Sequence, residues 1–249
     1  MPFTFSHPAV VLPFWNSKKH QLSLTGLIAG TIVPDFEFLF RLRETAIFGH
    51  TLPGIIFFDI PAAIILSYVF HLYIRNVLVL HLPKPIRQRF TSYLSFNWKW
   101  YFKRNLLWYF ISVLIGLVTH FVLDDFTHSY GYIVNQISFF TLHIRILQYD
   151  VPVYYILQLA LSLIGAGYGC WFISRMVKGR DVNVVKRIWE YWLSLMLLWL
   201  LFFALRLFVY PQYHSTEDII IAFTGCFVYA LLMVSVYFTR YAKKRKRAL

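Results

Sequence analysis

Charged residues are scarce in this chain, and acidic residues are scarcer than basic ones. Only 14% of the 249 residues are charged, whereas 59% are hydrophobic. A soluble domain carries roughly a quarter charged residues, so the composition excludes an ordinary soluble domain and indicates an integral membrane protein. The two cysteines, Cys170 and Cys226, lie inside apolar runs without metal-type spacing, which favours packing over a thiolate metal site.

Long apolar runs predict the fold class. Five of them have at least the length of about 20 helical residues that a bilayer requires. They cover residues 54–80, 105–124, 152–175, 189–210 and 218–239. A sixth run, 22–40, is interrupted at Gly26, Gly30, Pro34, Asp35 and Glu37. We interpret it as a helix that ends near Pro34, or as a re-entrant or interfacial element; a sixth span stays open. We therefore predict an all-α, polytopic helical membrane domain over residues 1–249.

The net charge of +13 suggests nucleic-acid binding, but the distribution of the basic residues argues against it. If the spans alternate, three basic segments fall on one side. They are 84–104, 175–187 and 240–247, with six, five and six Lys or Arg residues. The positive-inside rule makes that side cytoplasmic, so we expect a multi-pass membrane protein with a basic cytoplasmic tail at 241–249. The tail would contact anionic lipids, and no nucleic-acid partner is expected.

Ligand-type residues gather on the other side, at the outer end of the second span. His120, Asp124 and His128 follow one another in steps of four, and each step turns a helix through only about 40°. They would therefore share one helix face. Imidazole and carboxylate are ligands for divalent metals, and ionisable groups at membrane depth persist where they pair, coordinate or line water. The alternative is polar contact between helices.

Two acidic residues around Pro34 are further candidates. Because proline interrupts a helix, Pro34 would leave Asp35 at a turn, where it either points into the site or caps the next segment. Glu37 could orient a ligand or act as a base, or it could pair with Arg41 or Arg43.

His50 directly precedes the first full span. Alone, it would be an ordinary interfacial histidine, but it shares a membrane face with Asp35 and His120, which favours a ligand role. His143 is a further candidate, and the Gln158 amide is expected near the site. Asp125 points away from Asp124 and is expected to bond locally. We find no serine or cysteine nucleophile in a catalytic setting.

Five segments of the chain resemble an uncharacterised family of bacterial membrane proteins. They are MPFTFSHPA at 1–9, VPDFEF at 33–38, GH at 49–50, HFVLDDFTH at 120–128 and PVYYILQ at 152–158. The resemblance covers nearly the whole chain. It names a domain of unknown function and implies no activity.

A more distant resemblance does imply chemistry. The order His, Asp, His and His-x-x-x-Asp is similar to the ligand order of the zinc-dependent phospholipase C and P1-nuclease group, and of membrane-bound metal-dependent hydrolases. It would make metal ligands of His7, Asp35, His50, His120 and Asp124, with His128 on a neighbouring ion. The later His-x-x-x-Glu pair of that group is missing, because the residue four positions after His143 is Leu147 and not a glutamate. We therefore expect one or two zinc ions.

The position of His7 depends on residues 22–40. If they cross the membrane, His7 lies on the cytoplasmic side, away from the other ligands, as Lys18 and Lys19 favour. If they do not cross, His7 can join the site, as the interruptions at Gly26, Gly30 and Pro34 favour.

The function that these patterns favour is a membrane-embedded metal-dependent hydrolase. A bound divalent ion lowers the pKa of its water toward about 7 and polarises a phosphoryl oxygen, so a side-chain nucleophile is not needed. Asp124 or His128 would serve as ligand or base, and Glu37 as an orienting group or base. The expected substrate is a lipid-like or lipid-linked phosphoester at the outer face. The alternative is a non-enzymatic metal-binding protein or a cation transporter, which would carry ionisable groups in both membrane halves.

Overall fold

Six long helices dominate the structure, a computed structural model that describes residues 4–14, 21–180, 182, 188–212 and 215–247. The helices are α1 (Leu24–Arg41), α2 (Leu52–His81), α3 (Leu106–Thr127), α4 (Val153–Arg175), α5 (Ile188–Val209) and α6 (Thr216–Arg247). By length and composition, α2 to α6 can each cross a bilayer, which confirms the five predicted spans. Lys18, Lys19, Lys186 and Arg187 lie outside the described residues.

Short elements precede the first long helix or connect the long helices to one another. They are 3-10 turns at Thr4–Ser6, Leu12–Phe14 and Thr91–Tyr93, and helices at Pro8–Val11, Lys84–Phe90, Trp98–Arg104, Tyr132–Gln136 and Ser138–Thr141. An exposed hairpin of β1 (His143–Ile146) and β2 (Tyr149–Pro152) precedes α4, and it pairs His143 with Pro152. The sequence analysis did not predict these strands.

The helix α1 continues through Pro34 to Arg41, so the predicted helix end near Pro34 is wrong. Proline removes one N–H donor, but this loss does not end a helix that is held at other points. The Ser23 hydroxyl caps the first turn by accepting from the Gly26 N–H at 3.2 Å. Leu42 ends the helix in the left-handed region, with φ 53°. Asp35 is therefore buried within a helix and does not cap one.

Small residues bring α1 and α3 into backbone contact. A Cβ atom on Gly30 would lie 2.2 Å from the Val113 carbonyl oxygen, and one on Gly116 would lie 2.4 Å from that of Leu27. Gly26 comes before Gly30 in α1, and it contacts Tyr109, which comes before Val113 in α3, so the two helices run parallel. The glycines that interrupt the apolar run at 22–40 are thus contact residues of the small-xxx-small type.

Two apolar clusters hold the bundle together. One lies between α1, α2 and α3 and includes Val33, Ala63 and Val113. The other joins the end of α2 to α5 and α6. Residues 4–14 pack onto α4, where a Cβ atom on Gly165 would lie 2.9 Å from the Ser6 carbonyl oxygen. This contact holds the N-terminal segment beside α3 and α4.

Candidate metal centre

Four ligand-type side chains from separate stretches of chain converge at one end of the bundle. Asp35 comes from α1, His50 from the segment before α2, and His120 and Asp124 from α3. Each offers one potential ligand atom, and these atoms all lie within 4.8 Å of one another. The predicted convergence of these four residues is thus present in the structure.

The distances place the two carboxylates around both imidazoles. His120 Nε2 lies 3.5 Å from Asp35 Oδ1 and 3.2 Å from Asp124 Oδ2. His50 Nε2 lies 3.8 Å and 3.3 Å from the same two oxygens. Asp35 and His120 are fully buried, and Asp124 is 3% exposed. The site therefore lies inside the protein, with His50 as its partly exposed member.

A backbone carbonyl of α1 orients the His120 ring. His120 Nδ1 lies 2.9 Å from the Thr31 carbonyl oxygen, which can only accept a hydrogen bond. Nδ1 therefore carries the proton, and the lone pair of Nε2 points toward the two carboxylates. This is the arrangement that proteins use to fix the tautomer of a metal-binding histidine.

Most of the converging atoms have no hydrogen-bond partner. Both oxygens of Asp35, both ring nitrogens of His50, His120 Nε2 and Asp124 Oδ1 are buried without one. Buried polar atoms are normally paired, because leaving one unpaired costs about 1–3 kcal/mol. Two imidazole nitrogens and two carboxylate oxygens form a donor set that suits a zinc-type divalent ion. A bound cation would satisfy these atoms, so the residues fit a metal.

His7 lies beside this four-residue group. Its Nε2 is 3.5 Å from Asp124 Oδ1, and its ring stacks on that of His120 with centroids 4.6 Å apart. The N-terminal segment therefore reaches the same end of the bundle as the other ligands. Its role as a ligand stays a prediction.

His128 lies one residue beyond the end of α3, in an extended conformation, so the helical stripe extends only through Asp124. Its Nδ1 is 3.2 Å from the Asp124 carbonyl oxygen and 3.5 Å from Asp124 Oδ1. Its Nε2 lies 2.9 Å from the Gln158 amide nitrogen, which donates to it. The predicted proximity of Gln158 is thus present. Metal binding through either ring nitrogen of His128 would break the contact that this nitrogen now makes. The role of His128 as a ligand stays a prediction.

Glu37 holds the loop that carries His50. Its Oε1 accepts from the Ile47 N–H at 2.9 Å, and its Oε2 accepts from the N–H groups of Phe48 and Gly49 at 2.8 Å each. Arg41 pairs with Glu37 Oε1 at 2.9 Å, which is one of the two pairings that the sequence left open.

The electrostatics of Glu37 follow from these contacts. Burial alone would raise the pKa of the Glu37 carboxyl, but the N–H groups of residues 47–49 and the Arg41 guanidinium together lower it below its usual value. A lowered pKa makes a carboxylate a weak proton acceptor at neutral pH. The contacts therefore favour a positioning role over the predicted role as a base.

The sequence analysis missed Asp59. This residue ends the π-helical turn Ile55–Asp59 of α2, is fully buried, and has no hydrogen-bond partner for either carboxylate oxygen. It lies within electrostatic reach of His50 and His120. The available signal was an acidic residue inside an apolar span, which is itself an indication of function. Tyr130 was missed too; its hydroxyl lies 3.5 Å from Asp124 Oδ2.

Other predicted candidates lie elsewhere. His143 is exposed on β1 and is not part of the ligand group found among the described residues. Asp125 bonds locally, as predicted, by accepting from the backbone N–H groups of Tyr132 and Ile133.

The fold and the site together define a class: an all-helical membrane protein with a buried His/Asp cluster that can hold a metal ion. The chain belongs to the family described as Domain of unknown function (DUF4184), whose model matches residues 1–236. No curated protein and no solved structure matches the chain. The resemblance to zinc-dependent phospholipases and nucleases therefore has no named relative behind it and stays a prediction.

Proposed function

We propose that this protein is a metal-dependent hydrolase that acts on a phosphoester of a lipid-like substrate at the outer face of the bacterial inner membrane. The observation that carries the proposal is the convergence of Asp35, His50, His120 and Asp124 with buried atoms that lack hydrogen-bond partners. One or two zinc ions are the expected cofactor. When bound, the metal would supply an acidified water and polarise a phosphoryl oxygen.

The chain's own residues divide the remaining tasks. His120 and His50 present ring nitrogens to the shared space, and the Thr31 carbonyl holds the His120 ring in place. Asp124 has an oxygen without a partner, so it can act as ligand or as proton acceptor. Glu37 holds the loop before His50. Burial excludes bulk water and strengthens each of these electrostatic interactions.

The positions of the site and of the basic residues along the helices support the proposed orientation. His50 precedes α2 and His120 lies near the end of α3, so the connection 82–105 lies at the opposite end of this helix pair. That connection carries the basic residues Lys84, Arg87, Arg89, Lys99, Lys103 and Arg104. The positive-inside rule then supports a cytoplasmic connection, a cytoplasmic C-terminus and an outward-facing site.

Metal analysis tests whether the site exists. We expect wild-type protein purified in detergent to retain zinc, and the His120→Ala and Asp124→Ala variants to lose most of it. His143→Ala removes an exposed histidine away from the group and is the matched control. Equal metal content in wild type and both site variants would refute the proposal.

A hydrolysis assay tests the chemistry separately. We expect a soluble chromogenic phosphodiester to be cleaved by the metal-loaded protein, with activity lost on chelation and restored by zinc. Cation flux into proteoliposomes without hydrolysis would support the transporter instead. Metal binding without either activity would indicate a non-enzymatic metal site.

A further inference from the structure

A groove lies directly beside the metal centre, between the N-terminal segment Thr4–Phe14, α3 and α4. Its cavity volume is about 250 Å³, just below the range of about 300–1,000 Å³ that is common for ligand sites. His7 and His128 belong to its lining, and each has a ring nitrogen 3.5 Å from Asp124 Oδ1. The groove therefore begins at the residues that contact the metal centre.

The lining becomes mainly apolar away from the site. The polar end is lined by His7, His128 and Gln158, and most of the rest by apolar or aromatic side chains such as Val10, Leu161, Ile164 and Tyr168, although Ser6 and Ser162 also line the groove. From Gln158 to Tyr168 a helix advances about 15 Å, which is half of a hydrocarbon core of about 30 Å. The whole groove, including its polar end, thus has about the depth of one lipid leaflet.

One side of the groove is open to the surroundings of the bundle. Only 6% of the most apolar stretch of α4 is buried, and Ile164 is 64% exposed although it lines the groove. A hydrocarbon chain could therefore enter from the bilayer sideways, without crossing a polar surface.

The dimensions decide which occupant fits. A volume of about 250 Å³ is several-fold smaller than the roughly 1,200 Å³ that a 15 Å length of a helix about 10 Å across occupies. A single alkyl chain is thin enough, and a protein helix is not. The polar end adjoins the candidate metal centre through His7 and His128, and a divalent cation held there would attract an anionic headgroup.

We propose that the groove holds one acyl or isoprenoid chain of the substrate, with the anionic phosphoester at the His7 and His128 end. This inference rests on the proposed function and names its substrate class, a single-leaflet lipid with a phosphoester headgroup. Chain binding and hydrolysis are separate measurements, so each can fail without the other.

A binding experiment tests the groove without any reaction. Butyl, octyl and dodecyl phosphonates are titrated into zinc-loaded protein in nanodiscs, with empty nanodiscs as the control for partitioning. Each methylene buried from water raises affinity by up to about fourfold, so we expect at least a tenfold gain from butyl to dodecyl. Leu161→Trp and Val10→Trp fill the groove from opposite walls and should abolish this gain.

Leu163→Trp is the matched control, because Leu163 lies on the same helix, is 76% exposed and does not line the groove. It should keep the wild-type gain. An equal gain in all four proteins, or none in wild type, would refute the groove. If one filling variant misfolds, the other decides.

Hydrolysis of short-chain and long-chain phosphodiesters separates the two proposals. Chain-dependent binding without chelator-sensitive hydrolysis would support the groove and refute the hydrolase. Hydrolysis that depends on neither chain length nor the filling variants would support the hydrolase and refute the groove. Selective loss of long-chain hydrolysis in Leu161→Trp supports both.

Discussion

The contact between α1 and α3 predicts that metal binding at the candidate centre depends on a glycine that is not among the ligand-type residues. In Gly30→Ala, the new Cβ would lie 2.2 Å from the Val113 carbonyl oxygen, whereas ordinary contact begins at 3.4 Å. The helices must therefore separate by about 1 Å. The neighbouring bond from His120 Nδ1 to the Thr31 carbonyl, now 2.9 Å, would lengthen toward 4 Å, which is beyond hydrogen-bond range.

Two effects should follow from this separation. Overpacking of this kind costs about 1–3 kcal/mol of folding free energy, and a chain of this size loses roughly 2–4 °C in Tm per kcal/mol. Loss of the group that orients a metal-binding histidine lowers metal affinity by about 10–100-fold. We therefore expect Gly30→Ala to unfold at lower temperature and to bind zinc at least tenfold more weakly.

The assay is competition with a chromogenic zinc chelator, together with thermal unfolding in detergent. Gly167→Ala is the control, because a Cβ atom at this position of α4 meets nothing within 4 Å. It should match wild type in both measurements. Wild-type zinc affinity and Tm in Gly30→Ala would refute the close helix approach and the role of the Thr31 carbonyl.

Three further predictions concern the charges at the site. In a thermal melt, chelation should lower the Tm of wild type by roughly 5–10 °C if zinc was present at about 100 Kd before the chelator was added. Chelation should leave the Tm of His120→Ala unchanged. An equal drop in both proteins would contradict the site. Because the pKa of Glu37 is lowered from 4.5, its stabilising effect is present above about pH 4.5 and is lost as pH falls through the folded-state pKa. In Glu37→Gln, the free energy of unfolding should therefore fall less as the pH is lowered, in unfolding curves recorded between about pH 3 and 7. An unchanged pH profile would refute the stabilising role of the Glu37 carboxylate. Asp59→Leu removes a buried carboxylate without a partner, so the metal-free variant should melt a few degrees higher and bind zinc more weakly; a lower metal-free Tm would contradict this.

The spans and the four converging side chains were accessible from sequence because their signals are local. Hydropathy over about 20 residues defines a span whatever its neighbours are. The four-residue step from His120 to Asp124 places both on one helix face, and α3 retains this spacing. Topology then placed Asp35 and His50 on the same side.

The features that sequence reasoning missed depend on contacts between distant segments. Pro34 looked like a helix end, but Phe36 and Leu39 beyond it pack with Ile221 of α6 and support the rest of α1. The loop contacts of Glu37 depend on how residues 47–49 fold back. Asp59 lacks a neighbouring polar residue in sequence, and only the bundle brings it near His50. Such contacts join residues that no local pattern connects.

The bond that orients His120 comes from the main chain of α1, because its acceptor is the Thr31 carbonyl oxygen. A change of side chain at position 31 therefore leaves this acceptor in place, and the Thr31 hydroxyl itself donates to the Ile28 carbonyl of its own helix. The orienting group is thus protected from most point mutations at its own position. Substitutions would reach the imidazole mainly through residues that alter helix spacing, so the glycines of the α1–α3 contact are critical to the candidate metal centre although they offer it no ligand atom.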